Sequence, residues 1–502
     1  MPRRSIITCL GLLISLCCFA AKTVEPVSFT PSSLILSAGY SQKVLVKGLE
    51  EGSFSIGGYD AEVISAVLKG LTVEVTGKRQ GDTIIFIVND SGFMAGLRVV
   101  VKEPGAFFPL SLRVEVSGKP APDGLIRDAV AEAIRRETLL KDGVELKIPE
   151  VFPGLQSLNA GQSMIINVPV GTSSNVYANQ DKQLSVQIVN LNLAYKEDDY
   201  LLMSNNPEII TGAGLLFKEE IKKNESARLV YHHMNEFQGP ERGLRVILKN
   251  PTDKEAIVLI NRGIGGPNID ALYAGHIATR RFVNNLLNKS GAVIVIPPKQ
   301  ETVIVEQSMP EAEDSVTGII KIWLTQGDKI EVQIKAYETL EKVFLFPDDE
   351  IEPYLPNDGI AGHVKAAFNT TRINMNLEYN TDQKQSSIDL GLVPKVYSSD
   401  EQSLLLGNYG ITHDIYISLS NPSAQAKTVK LSCLPTGGLA RGIFLFDQEV
   451  IETGLLDPHS SNGGLATIKT FVLQPLAQKE FMLSTIPQAG SYYPVKLMLR
   501  SS

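Results

Sequence analysis

Two stretches of this chain follow one plan: LRVILKNPT at residues 244–252 and IYISLSNPS at residues 415–423. In each, an alternating apolar segment runs into an Asn-Pro turn, and a second apolar segment and a Gly-Gly pair follow. Alternating strands separated by such turns are typical of β-sandwiches, and one plan used twice indicates an internal repeat. The sequence therefore predicts a mainly β fold with tandem β-sandwiches, the first over 155–340 and its repeat over 355–502.

The part of the chain in front of the repeat predicts two smaller pieces. Residues 27–103 contain alternating strands and polar turns at a spacing that is typical of a small sandwich. Residues 110–150 predict a small α/β unit, a strand followed by an amphipathic helix at 123–140 and a second strand. This unit lacks the glycine-rich loop of nucleotide-binding folds. A further helix is predicted at 268–288, as an insertion in the first large sandwich, because its apolar residues recur at helical spacing.

The N-terminus predicts export. Arg3 and Arg4 precede an apolar run at 6–19, and a small residue, Ala20, follows it. This is the pattern of a secretory signal peptide, and the run is too short to span a membrane comfortably. We therefore expect residues 1–21 to be removed and the mature chain to reach the periplasm, the cell surface or the outside, without spanning the membrane.

Composition restricts the partners. A formal net charge of −8 over 502 residues argues against nucleic acid and anionic membrane surfaces. Three of the four cysteines lie in the predicted signal peptide, so Cys433 has no partner for an intramolecular disulfide. We expect it to be a buried small apolar residue, and the fold to be stabilised by its cores.

A resemblance to known families adds to this reading. Five motifs follow one another in the back part of the chain: SNNPE at 204–208, Gly-Leu-Leu at 214–216, His-His at 232–233, LRVILKNPT at 244–252, and GNYGI at 407–411 before a strand that ends in Asn421-Pro422. In this order they resemble a family of uncharacterised exported proteins best known from cyanobacteria, over residues 195–502. The resemblance implies export and a double sandwich, with no assigned activity. Residues 27–103 resemble bacterial Ig-like modules of surface and pilus-associated envelope proteins, and the family lacks such a module in front.

Histidines are the first candidates for a metal site. His232 and His233 are neighbours on a predicted strand, so they point to opposite faces and only one can join a given site. His276 on the inserted helix could be a second ligand, with Glu208 or Asp270 as a third. Zinc and copper sites need three convergent ligands, usually at a recognisable spacing that is missing here. We expect packed histidines, and no metal or cofactor. Ala-Gly-His occurs at 274–276 and again at 361–363, which we attribute to coincidence.

Tyrosines on turns are the candidates for ligand binding. Tyr409 lies in a Gly-Asn-Tyr-Gly turn, and Tyr492 and Tyr493 follow Gly490-Ser491. Exposed loops of sandwich proteins often carry binding residues, and a tyrosine ring stacks on a sugar face while its hydroxyl stays in water. The alternative is that these rings pack at strand ends. No Gly-x-Ser-x-Gly elbow is present, so the sequence gives no catalytic residue.

These observations favour a non-enzymatic exported protein of the cell envelope or surface, which acts as a scaffold or binding module for envelope or surface proteins. The alternative is a protein that binds or processes polysaccharide with the loops at the ends of its sandwiches. A fold alone does not decide between them.

Overall fold

The computed structural model describes residues 26–49, 54–89, 92–338 and 353–501. The predicted signal peptide lies outside these residues. The described chain is mostly β with two α-helices, and neither helix is long and apolar enough to cross a membrane. Two compact units are formed, one from residues within Met1–Leu110, Arg135–Glu150 and Pro169–Leu184, the other from residues within Ser111–Ile134, Val151–Val168 and Ser185–Ser502.

The front of the first unit is a sandwich of two four-stranded sheets. Its strands, with a short ninth one after them, are β1 (Ser28–Thr30), β2 (Ser33–Ser37), β3 (Ser41–Lys47), β4 (Ser55–Gly57), β5 (Ile64–Lys69), β6 (Thr72–Gly77), β7 (Gly81–Asn89), β8 (Gly92–Lys102) and β9 (Ala106–Phe107). One sheet has the order β1-β3-β6-β5 and the other β2-β8-β7-β4. Buried and exposed residues alternate along β8, as expected for a strand with one face on a core. Val44, Val75 and Leu97 lie fully buried in that core.

The predicted strand–helix–strand segment follows. It contains β10 (Ser111–Ser117), α1 (Asp123–Glu137), β11 (Leu139–Leu140) and β12 (Glu145–Lys147), and the chain continues with β13 (Ser163–Ser173) and β14 (Asp181–Leu191). Helix α1 buries one face, as its spacing predicts, but it ends before residue 140 because Leu139–Leu140 pairs with β9. Strand β10 lies parallel to β14.

The first large sandwich extends to residue 338. Its elements are β15 (Tyr200–Ser204), β16 (Ile209–Ile210), β17 (Gly214–Lys222), β18 (Ser226–Asn235), β19 (Arg242–Lys249), β20 (Ala256–Asn268), α2 (Ala271–Leu287), β21 (Gly291–Ile296), β22 (Glu301–Met309), β23 (Ser315–Gln326) and β24 (Lys329–Glu338). One sheet has the order β17-β24-β19-β22, and the facing sheet runs β10-β21-β20-β23-β18-β15. The helix predicted as an insertion is α2, which connects β20 to β21.

The second large sandwich contains β25 (Lys365–Phe368), β26 (Arg372–Asn380), β27 (Ser386–Leu390), β28 (Thr412–Ser420), β29 (Lys427–Pro435), β30 (Ile443–Phe446), β31 (Glu449–Glu452), β32 (Ala466–Leu473), β33 (Gln478–Thr485) and β34 (Val495–Ser501). Its sheets have the orders β26-β28-β33-β30-β31 and β27-β34-β29-β32. Strand β25 leaves this sandwich and pairs antiparallel with β15 of the first one.

The two large sandwiches share their central topology. Strand β19 pairs with β22 as β28 pairs with β33, and β20 lies between β21 and β23 as β29 lies between β32 and β34. The strands that end in the Asn-Pro turns, β19 and β28, therefore occupy the same place in both. The repeat in the sequence therefore corresponds to a repeated pattern of strand pairing.

The buried asparagines of the two turns explain why the motif recurs. Nδ2 of Asn250 donates to the carbonyl oxygens of Lys254, Ile296 and Pro297 at 2.7–3.2 Å. Nδ2 of Asn421 donates in the same way to three carbonyl oxygens at 2.8–3.2 Å. In each turn the asparagine Oδ1 accepts from the residue two positions on, which forms an Asx-turn. One amide thus joins a turn to the next strand connection, because its NH2 group and its carbonyl oxygen bond both at once.

A buried ion cluster joins the two sandwiches. The carboxylate of Asp198 is held by Arg228 at 2.7 Å and by Lys321 at 2.5 Å, and all three side chains are almost fully buried. Nη1 of Arg228 also donates to the carbonyl oxygen of Gly410 and to the hydroxyl of Thr412, at the start of β28. Because a buried charge needs every partner, this cluster fixes the second sandwich against the sheet of the first.

Candidate functional site

A cavity of about 690 Å³ opens where the two large sandwiches meet. Its wall comes from β15 and the segment after it, from β18, from the start of α2, and from four loops of the second half. The lining residues of these loops and elements include Met203, Asn205, Glu208, His232, Ile269, Asp270, Leu272, His363, Leu406, Tyr409, Leu439, Ser491, Tyr492 and Tyr493. A concave site lined by aromatic and apolar groups with a few polar ones is the usual form of a ligand pocket.

One wall is built by the SNNPE motif and the loop at 358–364. The Asn205 N–H donates to the Val364 carbonyl oxygen at 3.0 Å, and the Val364 N–H donates to Oδ1 of Asn205 at 2.7 Å. The Asn206 amide donates to the His363 carbonyl oxygen and accepts from the Asp358 N–H, both at 3.0 Å. These bonds hold the loop to the motif although more than 150 positions separate them in the chain.

This arrangement places His363 between two carboxylates. Its Nδ1 lies 2.8 Å from Asp358 Oδ2, and its Nε2 lies 2.6 Å from Glu208 Oε2. Burial raises the pKa of the Glu208 carboxyl, an effect that His363 opposes and Asp358 reinforces. Burial also acts to raise the pKa of Asp358, but hydrogen bonds from His363 and from the backbone amides of Ile360 and Glu208 outweigh it and leave that pKa lowered.

His232 supplies the buried imidazole of the cavity. Its Nδ1 is 2.7 Å from the Thr317 hydroxyl, and its Nε2 is 3.8 Å from Glu208 Oε1. Among the described residues, Nε2 of His232 has no hydrogen-bond partner. Burial lowers the pKa of His232 to about 4, so the imidazole is neutral at pH 7.

The other two candidate histidines do not line the cavity. His233, on the opposite face of β18, is fully buried with Nδ1 bonded to the Pro207 carbonyl oxygen and Nε2 to the Ser204 hydroxyl. Burial lowers its pKa to about 3. His276 on α2 bonds Glu452 of β31 at 2.7 Å. Within the described residues, no group of three histidines, cysteines or acidic residues could hold a metal ion.

The three candidate tyrosines all line the cavity, but they differ in exposure. Tyr492 is 50 % exposed. Tyr493 was expected on an exposed turn, and that expectation is wrong: its ring belongs to the core of the second sandwich and meets Tyr409 edge to face, with centroids 5.9 Å apart. Tyr409 donates from its hydroxyl to the Ser491 carbonyl oxygen at 2.9 Å, and burial raises its pKa to about 12.

A Gly-Gly pair supports the exposed ring. A Cβ atom at Gly437 or at Gly438 would overlap the ring of Tyr492, so the ring lies directly against this backbone. The Tyr492 N–H donates to the Leu439 carbonyl oxygen at 2.9 Å. This bond holds the backbone of Tyr492 to the segment that contains the two glycines. The glycines therefore hold one side of the ring and leave the remainder at the cavity mouth.

Helix α2 forms the facing wall. Asp270 caps it by accepting from the Tyr273 N–H at 3.0 Å. A Cβ atom at Gly275 would collide with the Ala489 carbonyl oxygen. A Cβ atom at Gly490, which has φ +77°, would collide with the carbonyl oxygen of Ala271, the first residue of the helix. The helix thus packs backbone to backbone against the loop that carries Tyr492.

Two groups with the chemistry of acyl transfer, His363 and Cys433, are not available for it. Both nitrogens of His363 are engaged by carboxylates, so neither is free to activate a serine hydroxyl. Cys433, the one cysteine of the described residues, is fully buried, and burial raises its pKa to about 12, so its thiol is not a nucleophile.

The sequence analysis named several cavity residues but missed His363. Glu208, His232, Asp270 and the tyrosines were candidates, whereas neither His363 nor its partner Asp358 was expected to be part of a site. The sequence did contain a signal for His363, the second Ala-Gly-His, which was attributed to coincidence. Three of the five motifs behind the family resemblance, SNNPE, His-His and GNYGI, each contribute to the lining, whereas Gly-Leu-Leu at 214–216 and LRVILKNPT do not.

Comparisons with known proteins give little further information. No family model matches the chain, and no curated protein is similar to it. Among solved structures, domains 5-6 of the S-layer protein SbsC align with 33 % of this chain and 97 % of their own at 12 % identity and a TM-score of 0.14. A human mucin-like protocadherin fragment, EC1-2, aligns with 33 % of this chain and 98 % of its own at 12 % identity and a TM-score of 0.12.

A further solved structure is a SusE-like surface located polysaccharide binding protein from the Bacteroides thetaiotaomicron heparin utilisation locus. It aligns with 45 % of this chain and 42 % of its own at 9 % identity and a TM-score of 0.17. Scores this low carry no argument about function.

Proposed function

We propose that the protein is an exported, non-enzymatic binding protein of the cell envelope or surface, and that carbohydrate occupies the cavity between its two large sandwiches. The predicted signal peptide supports export. Membership of the exported double-sandwich family remains part of this proposal, and the convergence of its motifs on one cavity supports it. Partners among envelope or surface proteins fit the same location.

The observation that carries the proposal is the ring of Tyr492. Half of its surface is exposed at the cavity mouth, and the Gly437-Gly438 backbone holds it in place. An aromatic face binds a sugar through its C–H groups, while polar groups deeper in the cavity bond the hydroxyls. Asn205, His232 and Ser491 are in place for that second task.

A glycan array tests the proposal, followed by calorimetric titration of each oligosaccharide that binds. We expect Tyr492→Ala to weaken binding about fivefold or more, since stacking on one aromatic ring contributes about 1 kcal/mol or more. Tyr416→Ala is the matched control, because Tyr416 is also 50 % exposed but lies on β28 and does not line the cavity. We expect it to bind like the unmodified protein.

Two results would contradict the carbohydrate assignment. One is an array on which no oligosaccharide binds while the protein captures envelope proteins, which would leave the scaffold function. The other is glycan binding that Tyr416→Ala weakens as much as Tyr492→Ala does, because the sugar would then lie outside the cavity.

A further inference from the structure

The polar side of the cavity has two acidic groups, and its basic side chains among the described residues are the imidazoles of His232 and His363. Glu208 and Asp270 both line it, and within the described residues no lysine or arginine does. Asp270 uses Oδ1 to cap α2, and its residue as a whole is exposed. His363 is already engaged by the carboxylates of Glu208 and Asp358. An acidic sugar would therefore find no lysine or arginine in the lining to pair with, so the lining disfavours anionic ligands.

Two unpartnered atoms face one another within this lining. Glu208 has its Oε2 engaged by His363, but Oε1 has no hydrogen-bond partner among the described residues. Nε2 of His232, a side chain that is only 7 % exposed, is equally without a partner there and lies 3.8 Å from that oxygen. The two atoms are too far apart for a hydrogen bond to each other, but one ligand atom between them can lie about 2.8 Å from each.

These two atoms define the kind of ligand group that can bind between them. An ionised carboxylate only accepts hydrogen bonds, so the ligand atom must donate to Glu208. If Nδ1 of His232 donates to Thr317 at 2.7 Å, its Nε2 is an acceptor as well, and the ligand atom must donate twice. An ammonium group has three N–H donors, and its positive charge is opposite to that of the carboxylates.

We propose that the sugar bound in this cavity carries a protonated amine, as in an oligosaccharide of glucosamine, and that its ammonium bridges Glu208 and His232. This inference rests on the proposed function, because it names the class of carbohydrate for the same site. The neutral imidazole of His232 does not repel the cation, and Tyr492 takes the apolar face of the sugar.

The test compares two tetrasaccharides of equal length, one of glucosamine and one of N-acetylglucosamine, which differ in the charge and size of the group on nitrogen. Both are titrated calorimetrically at pH 6 into the chain from residue 22 onward. We expect the amine form to bind at least about tenfold more tightly, because its ion pair forms in a partly buried site. Raising the ionic strength should reduce this preference.

Two variants localise the preference. Glu208→Gln removes the charge that faces His232 and should abolish the preference, whereas Glu378→Gln, on the exposed face of β26, should leave it unchanged. If Glu208→Gln does not fold, Asp270→Asn serves instead, because asparagine still caps α2. It removes the second lining carboxylate and should reduce the preference two- to threefold.

The outcomes separate this inference from the proposed function. Equal or tighter binding of the acetylated form, or of a galacturonic acid tetramer, with a loss on Tyr492→Ala would overturn the amine assignment and leave carbohydrate binding intact. If neither tetrasaccharide binds but neutral glycans on the array do, the amine assignment also fails. If no glycan binds at all, the proposed function fails with it.

Discussion

Replacing one buried asparagine, Asn421, should destabilise both large sandwiches together. Asn421→Asp keeps the shape of the side chain but removes the two N–H donors that reach three carbonyl oxygens. In their place a carboxylate oxygen lies within about 3 Å of those same oxygens. Since the ion cluster of Asp198, Arg228 and Lys321 joins the sandwiches through Gly410 and Thr412, we expect the first sandwich to lose stability as well.

The size of the effect follows from the lost bonds. Each hydrogen bond contributes about 1 kcal/mol net, and leaving buried acceptors unsatisfied adds to the loss, so we expect a decrease of about 4 kcal/mol in the free energy of unfolding. With a denaturant dependence of about 3 kcal/mol per molar urea or more for a chain of this size, the midpoint should fall by about 1 M. Ser423→Ala removes one hydroxyl of the same turn and should cost about 1 kcal/mol.

The chain provides one natural probe in each sandwich. Trp323, its single tryptophan, lies on β23 of the first sandwich, so its fluorescence reports unfolding there. Cys433 is buried on β29 of the second, and in the chain from residue 22 onward it is the one cysteine, so its reaction with a thiol reagent reports unfolding there. We expect both probes to give the same midpoint, and Asn421→Asp to shift both equally.

Separate midpoints would refute the reasoning. If Asn421→Asp lowers the urea concentration at which Cys433 reacts but leaves the Trp323 transition in place, the sandwiches unfold independently, and the ion cluster does not couple them. Asn250→Asp, the equivalent change in the first sandwich, gives the reciprocal check. Coupling requires it to advance the labelling of Cys433.

Three further predictions concern single positions. His233 has a pKa of about 3 in the folded state against an ordinary value of 6.5, so the unfolded state binds one more proton below pH 6.5. The free energy of unfolding therefore falls as the pH drops from 6.5 toward 3. His233→Gln should reduce this slope by about 1.4 kcal/mol per pH unit, measured by urea titration at several pH values. Gly275→Ala should destabilise by about 3 kcal/mol in thermal unfolding, despite the helical preference of alanine, because its methyl group collides with Ala489. Arg228→Met should cost about 3–5 kcal/mol because it leaves Asp198 buried with one cation fewer, and Asp198→Asn in the same chain should recover part of the loss.

The repeat could be predicted from the sequence because its cause is local. An Asn-Pro turn after an alternating strand requires only neighbours in the chain to be recognised, and the inserted helix α2 shows its own apolar spacing. The strands that carry the turns occupy equivalent places in both sandwiches, as expected from the duplication. Likewise β18 forms where His232 and His233 were assigned to a strand, and the two side chains point to opposite faces.

The cavity could not be predicted because its cause is not local. Glu208 and His363 are 155 positions apart, and they meet because β25 adds to the edge of the first sandwich beside β15. That pairing joins a strand of the second half to a sheet of the first, which strand spacing alone does not reveal. The burial of Tyr493 has the same origin, since a turn sequence does not show which of two adjacent rings enters a core.

Duplication alone would not have produced this site, because two identical halves offer two identical surfaces. Each copy has a Gly-Gly pair, which lies near the end of β20 in the first copy and just after β29 in the second, and the two pairs are used differently. Gly265 lies where a Cβ atom would collide with the backbone of α2, so the first copy brings a helix against its sheet. Gly437 and Gly438 accept the ring of Tyr492, so the second copy brings an aromatic side chain against its backbone. Helix α2 and the ring of Tyr492 both line the cavity. Two of its walls therefore depend on different uses of one repeated feature, and its chemistry belongs to neither sandwich alone.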